Sequence, residues 1–96
     1  MQKVSKHDRY VLDLCEMIKS DYDVLSTNVK ISGKKRQLCE IDVLARKGSF
    51  FDAFEVKCSY RITKARKQAK MVRKHAPLKI DRTFFYCGAS GALVLL

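Results

Sequence analysis

The first 20 residues carry a helical pattern of apolar positions. These positions recur at spacings of three and four residues, at Val11, Leu14, Cys15 and Ile18. Such spacing puts them on one stripe, which predicts an amphipathic helix with one face toward a core. Ser5 or Asp8 is the expected N-cap, and the polar run at 20–23 ends the helix.

A second helical pattern covers residues 62–76. Its apolar positions are mostly small, with Ala65, Ala69 and Ala76 interspersed with Ile62 and Val72. Alanines on the apolar stripe favour a helix that lies close against a sheet. Pro77 follows directly and ends this helix.

Five further stretches are typical of strands. Three lie between the helices, at 24–31, 38–46 and 50–57, and their short connections predict an antiparallel meander. The fourth covers 83–87 and follows the second helix, so this crossover predicts that it runs parallel to the third. The apolar end at 92–96 is either a fifth strand of the same sheet or a surface that a second copy covers. The predicted fold is a single α+β domain over 1–96, with a mixed central sheet flanked by helices.

Length and composition agree with one small globular domain. The chain has 96 residues, of which 47% are apolar and 31% are charged. Twenty Lys and Arg stand against ten Asp and Glu, which gives a net charge of +10. A surface this basic favours a polyanionic partner, because each neutralised phosphate releases a condensed counterion.

Several classes of protein are excluded or disfavoured by what the sequence lacks. No apolar run approaches the roughly 20 residues of a membrane helix, and the N-terminus has no apolar signal segment. We therefore expect a cytoplasmic protein without a membrane partner. The four cysteines are widely spaced without a C-x-x-C pair, so they predict buried apolar side chains and not a zinc site.

Two tripeptides place charged residues inside apolar strands, Glu-Ile-Asp at 40–42 and Glu-Val-Lys at 55–57. Strict alternation puts Glu40, Asp42 and Leu44 on one face of their strand, and Glu55 and Lys57 on one face of the next. Neighbouring strands would bring Asp42 and Glu55 together, and two close carboxylates require a cation or a shared proton. Mg²⁺ suits this need, since it binds one or two carboxylates with water and phosphate oxygens. A solvated cross-strand pair of charges is the alternative.

The stretch LCEIDVLARKGSFFDAFEVK, followed by a helix that contains Gln68, resembles the PD-(D/E)XK nuclease superfamily. The signature of that superfamily is an Asp on one strand and (D/E)-x-K on the next, here Asp42 and, thirteen residues later, Glu55 with Lys57. The chain is similar over residues 8–87 to archaeal Holliday-junction resolvases and related small endonucleases. The resemblance implies a restriction-endonuclease-like core in the order αβββαβ, the same order that the apolar pattern predicts.

The resemblance also implies roles for individual residues. Asp42 and Glu55 would bind Mg²⁺, which Mn²⁺ would replace, and the carbonyl of Val56 would be a third ligand. Lys57 would orient the attacking water, and Gln68 would match a polar residue on the second helix of similar nucleases. The superfamily often adds an acidic residue from the first helix, for which Asp8 is the first candidate and Glu16 the second. Glu40 is either a spare ligand or an exposed charge.

The cations are concentrated in one loop and in the second helix with its flanking residues. Those expected to contact nucleic acid are Lys34, Lys35, Arg36, Arg61, Lys64 and Lys67. Together these features predict a Mg²⁺-dependent endonuclease for structured or branched DNA, such as a Holliday junction. The alternatives are a binding module of the same fold that does not cut, and an RNA-directed protein. A core this short predicts a homodimer, in which two sites would act on two strands.

Overall fold

The structure is a computed structural model that describes residues 4–96, so the first three residues of the predicted domain lie outside it. It is an α+β fold of five strands and two helices. Its elements are α1 (Lys6–Ile18), a 3₁₀ turn (Lys19–Asp21), β1 (Val24–Ser32), β2 (Gln37–Lys47), β3 (Phe50–Lys57), α2 (Ile62–His75), β4 (Arg82–Cys87) and β5 (Ala92–Leu95). The predicted elements are confirmed, with ends that differ by one or two residues.

The strands form one mixed sheet in the order β1-β2-β3-β4-β5. The β1–β2 and β2–β3 pairs are antiparallel, and β4 is parallel to β3, as the short connections and the crossover helix predict. The segment that sequence alone left open is decided here, because β5 pairs antiparallel with β4. Neither helix in residues 4–96 is long and apolar enough to cross a membrane.

Helix α1 covers one face of the sheet. Its cap is Ser5, whose Oγ accepts a hydrogen bond from the Asp8 amide at 3.0 Å, while Asp8 itself lies in the first turn. The buried stripe of α1 packs on one cluster of strand residues, and the members of this core are Val11, Leu14, Ile18, Val43, Ala45, Phe54, Val56 and Tyr86.

Helix α2 covers the opposite face. Its buried residues are Ala65, Ala69 and Val72, as the small-residue stripe predicts. Val72 packs with Ile31, Ile41, Ala53 and Ile80, and Ala65 packs with Phe85 and Cys87. Because adjacent residues of β3 and β4 go to opposite clusters, both faces of the central strands are buried.

The alternation predicted for β2 is interrupted at Asp42. Ile41 and Leu44 both pack in the α2-side core, whereas Val43 packs in the α1-side core. On β1 the facing residue is Asn28, whose φ of +53° lies in the left-handed region, and the pairing between Thr27↔Val43 and Val29↔Ile41 skips this position. A left-handed residue breaks the regular alternation of side chains along its strand. At this point the apolar side chains of both β1 and β2 change from one face of the sheet to the other. The prediction that Glu40, Asp42 and Leu44 share one regular face is therefore wrong.

Candidate active site

Four residues that the sequence singles out as catalytic, Asp42, Glu55, Lys57 and Gln68, line one cavity of about 590 Å³. The remaining lining residues come from the start of α1, the first half of β2 and the middle of α2. They are His7, Gln37, Leu38, Cys39, Glu40, Lys64, Lys67 and Met71. The cavity thus collects side chains from four elements that are distant in sequence.

Asp42 lies at the interruption of β2 and is buried. Its Oδ2 accepts a hydrogen bond from the Val56 amide of the neighbouring strand at 2.8 Å. The register, in which Val43 faces Phe54, brings the next residues along, Asp42 and Glu55, beside each other at this point of the sheet. The interruption therefore turns the Asp42 carboxylate toward β3.

Glu55 is the most unusual group in the cavity. The residue is 3% exposed, and its Oε1 has no hydrogen-bond partner among residues 4–96. Burial and, after it, the Asp42 carboxylate raise the pKa of Glu55 to about 8, and the Lys57 ammonium partly opposes them. A buried acid with an unpartnered oxygen is suited to receive a cation or to hold a proton.

The other strongly buried carboxylate, Asp52, shows the usual alternative. It is 2% exposed, and the Tyr22 hydroxyl and the Arg82 guanidinium both donate to it. This charge is compensated within the protein, as buried charges normally are. Asp52 lies outside the cavity. Among the carboxylates of residues 4–96, only Glu55 has a buried oxygen without a hydrogen-bond partner.

Lys57 and Gln68 complete the predicted set. Lys57 is half-buried at the end of β3 and lines the cavity with Glu55. Gln68 projects from α2, and its side-chain Oε1 is buried without a hydrogen-bond partner in the described residues. Two residues that each have a buried, unpartnered oxygen therefore line the same cavity, where a bound cation or water would be expected to satisfy such atoms.

His7 is a residue of the site that sequence reasoning missed. Its Nε2 lies 3.0 Å from the Val56 carbonyl oxygen and 3.4 Å from Asp42 Oδ2. Asp8, the residue proposed from the resemblance, is exposed, does not line the cavity, and lies 3.9 Å from His7 Nδ1. Glu16, the second candidate, is also exposed and pairs with Lys19. The first helix thus contributes an imidazole to the cavity and neither of the two acids.

The residues present fit a hard divalent cation. No three His, Cys, Asp or Glu side chains form a ligand group in the part of the chain that the structure describes. Mg²⁺ does not require one, since it keeps several waters and binds through one or two carboxylates. Asp42 and Glu55 supply these, and the Val56 carbonyl keeps a second lone pair beside its bond to His7. The unpartnered Oε1 of Glu55 is the observation that favours a cation here.

The predicted phosphate-binding cations divide into three groups. Lys64 and Lys67 are exposed and line the cavity directly. Arg61 lines the groove beside it. The remaining three, Lys34, Lys35 and Arg36, are exposed in the β1–β2 connection, which leads to the cavity residue Gln37 but does not itself line the cavity. Helix α2 contains no acid, and none of its cations forms an ion pair within residues 4–96.

Neither a protein-family model nor a curated protein matches this chain. The function proposed for it therefore depends on the residues of the cavity and their geometry.

Proposed function

We propose that this chain is a metal-dependent DNA endonuclease with a restriction-endonuclease-like core. The observation that carries the proposal is the convergence of Asp42, Glu55 and Lys57 in one cavity, with a Glu55 oxygen that lacks a partner. The order of elements and the parallel β3–β4 crossover support it, because they agree with the PD-(D/E)XK pattern that the sequence resembles. Structured or branched DNA is the proposed substrate.

Asp42, Glu55 and the Val56 carbonyl would hold Mg²⁺ or Mn²⁺. When bound, the cation supplies Lewis-acid activation of the scissile phosphate and lowers the pKa of a coordinated water. Lys57 orients the attacking water or offsets the charge that develops on the phosphate oxygens. The water oxygen would attack phosphorus and release one proton to solvent, while the bond to the leaving nucleotide oxygen breaks and that oxygen takes up a proton from solvent.

The cations beside the cavity are placed to bind the DNA backbone. Lys64 and Lys67 border the carboxylates, so a strand bound along α2 would bring a phosphate to the cavity. Such contacts are independent of sequence, and the affinity should fall steeply with salt. The absence of acids on α2 keeps this face positive along the whole helix.

Cleavage assays with substitutions in the cavity test the proposal. Purified protein with Mg²⁺ or Mn²⁺ is offered four-way junction, flap, duplex and single-stranded DNA. Asp42→Ala, Glu55→Ala and Lys57→Ala should each lower the cleavage rate by at least about 100-fold, the scale of lost electrostatic stabilisation at an active site. Glu16→Gln, an exposed acid on α1, is the matched control and should keep full activity. Full activity in Glu55→Ala would overturn the assignment of the site.

Two further arms separate the remaining possibilities. His7→Ala should lower activity more than Asp8→Ala, because only His7 lies in the cavity. Calorimetry with Mn²⁺ tests the binding module that does not cut. Binding of Mn²⁺ that Glu55→Ala abolishes supports the nuclease, whereas DNA binding without any Mn²⁺ binding would favour the module.

A further inference from the structure

An exposed aromatic residue, Tyr60, lies in the connection between β3 and α2. It is 56% exposed, and its ring makes an edge-to-face contact with Phe85 at a centroid distance of 5.2 Å. Phe85 is a fully buried core residue, so it gives Tyr60 a rigid support. The contact uses part of the ring and leaves the rest to solvent. A ring that is held by a core residue and still exposed to solvent is suited to stack on a planar ligand.

The groove around Tyr60 has the charge that an anionic ligand needs. It has a volume of about 510 Å³ and is lined by Tyr60, Arg61, Ile62, Thr63, Lys64 and Lys67. Three of these six residues are cations and none is an acid. Helix α2 begins here without a side-chain cap and without an acid in its first turn, so its end adds to the positive potential. An aromatic ring among cations selects a ligand that is both planar and anionic.

The groove adjoins the candidate catalytic cavity, because Lys64 and Lys67 line both. A strand whose phosphate enters the cavity would therefore have a path past Tyr60. A free nucleotide would fill the groove alone, whereas a strand would use both regions and their shared lysines. This proximity favours a nucleotide that is part of a strand.

We propose that Tyr60 forms a subsite that stacks one unpaired nucleobase next to the scissile phosphate. The inference rests on the proposed nuclease function and adds a substrate class, DNA with an unpaired nucleotide at the cut, such as a splayed arm or flap. A base inside a duplex is already stacked on both faces and does not reach the ring, so the subsite discriminates against continuous duplex. The chain has 9% aromatic residues and no Trp, which gives one stacking position and not an extended platform.

Binding without cleavage is the first test. Fluorescence anisotropy with EDTA compares a splayed-arm DNA and a duplex of equal phosphate number at 0.1 M salt. Tyr60→Ala should weaken binding of the splayed arm about tenfold, within the range measured for base–aromatic stacking, and change duplex binding less than about twofold. Tyr60→Phe should keep the wild-type preference. Phe50→Ala removes a comparably exposed aromatic (63%) that does not line the groove and should change neither affinity.

Three results would overturn the subsite: no loss in Tyr60→Ala, an equal loss on both DNAs, or competition by free dAMP at about 1 mM. The last would indicate a mononucleotide site. Because EDTA prevents cleavage, the two proposals fail separately. Tyr60-dependent binding by a protein that cuts nothing supports the subsite and refutes the nuclease. Cleavage of splayed DNA at the wild-type rate by Tyr60→Ala supports the nuclease and refutes the subsite.

Discussion

At the scale of single residues, Glu55 is the buried carboxyl group whose charge its neighbours compensate least. It is buried beside Asp42, and one of its oxygens has no partner in residues 4–96. In the metal-free protein burial of Glu55, and after it the neighbouring Asp42 carboxylate, favour the protonated form and raise the pKa of Glu55 to about 8. Asp52, which Tyr22 and Arg82 neutralise, shows that the fold is able to compensate a buried acid elsewhere.

The raised pKa predicts how stability depends on pH. The folded state holds a proton on Glu55 up to a pH of about 8, whereas the unfolded chain releases it near 4.5. The folded state therefore binds more protons in this window, and the free energy of unfolding falls as pH rises from about 4.5 to 8. Glu55→Gln removes this dependence and should stabilise the metal-free protein at pH 8–9, by on the order of 2–4 kcal/mol, with little effect at pH 4.5.

Urea denaturation in EDTA at several pH values measures this effect. Glu16→Gln, an exposed acid, serves as the control and should stay within about 0.5 kcal/mol of the wild type throughout. Parallel stability curves for Glu55→Gln and the wild type between pH 4.5 and 9 would show that Glu55 has an ordinary pKa.

The choice between His7 and Asp8 is also made at this scale. His7 precedes Val11 by four residues, Leu14 by seven and Ile18 by eleven, so it continues the buried stripe of α1 toward the N-terminus. Asp8 is one residue further around the helix, at an angle that turns it toward solvent. The helical spacing therefore predicts His7 on the buried face of α1, whereas the resemblance implies an acid from this helix.

At the scale of elements, the paired interruption of β1 and β2 positions the site. The left-handed backbone of Asn28 faces Asp42, and beyond it both strands present the opposite set of side chains. Three consecutive residues of β2, Ile41, Asp42 and Val43, are buried, because helices cover both faces of the sheet. The interruption lets an acid lie between two core residues and still reach β3.

Substitutions at Asn28 test this arrangement. Glycine adopts a left-handed conformation freely, whereas a β-branched residue resists it. Asn28→Gly should change stability by a few tenths of a kcal/mol, and Asn28→Val should lower the free energy of unfolding by about 1–2 kcal/mol. Urea denaturation measures both. Ser26→Val, at an exposed position of the same strand with ordinary backbone angles, controls for the introduction of a β-branched side chain. Equal stability of the two Asn28 variants would contradict the role of the left-handed residue.

At the scale of the whole molecule, the acidic and basic residues are unevenly distributed between the two helices. Half of the ten acids lie on α1 or shortly after it, at Asp8, Asp13, Glu16, Asp21 and Asp23, whereas α2 has none. The α2 side is thus the positive face that DNA would approach. On β5, Ala92 and Val94 pack toward α2, whereas Leu93 and Leu95 lie on the opposite face of the strand and are exposed.

The homodimer remains a prediction, and the exposed residues of β5 indicate where its interface would lie. We expect a two-fold contact over the exposed leucines of β5, because these side chains form an apolar surface. Light scattering at micromolar concentration should give twice the chain mass of 11.1 kDa. Leu95→Lys (61% exposed) should shift the protein to monomer, and Leu12→Lys, an exposed leucine of α1, should not. A wild-type monomer would refute the dimer.

Local pattern by itself determined the two helices, the first four strands, the pairing directions of those strands and the convergence of Asp42, Glu55 and Lys57. Helical and strand periodicities are properties of neighbouring residues, and short connections or a crossover helix leave little freedom in the topology. Only the tertiary structure decided the interruption at Asn28 and Asp42, the entry of His7, the isolation of the Glu55 oxygen and the pairing of β5 with β4. These features depend on contacts between elements far apart in sequence, which the helical or strand spacing of apolar residues does not predict.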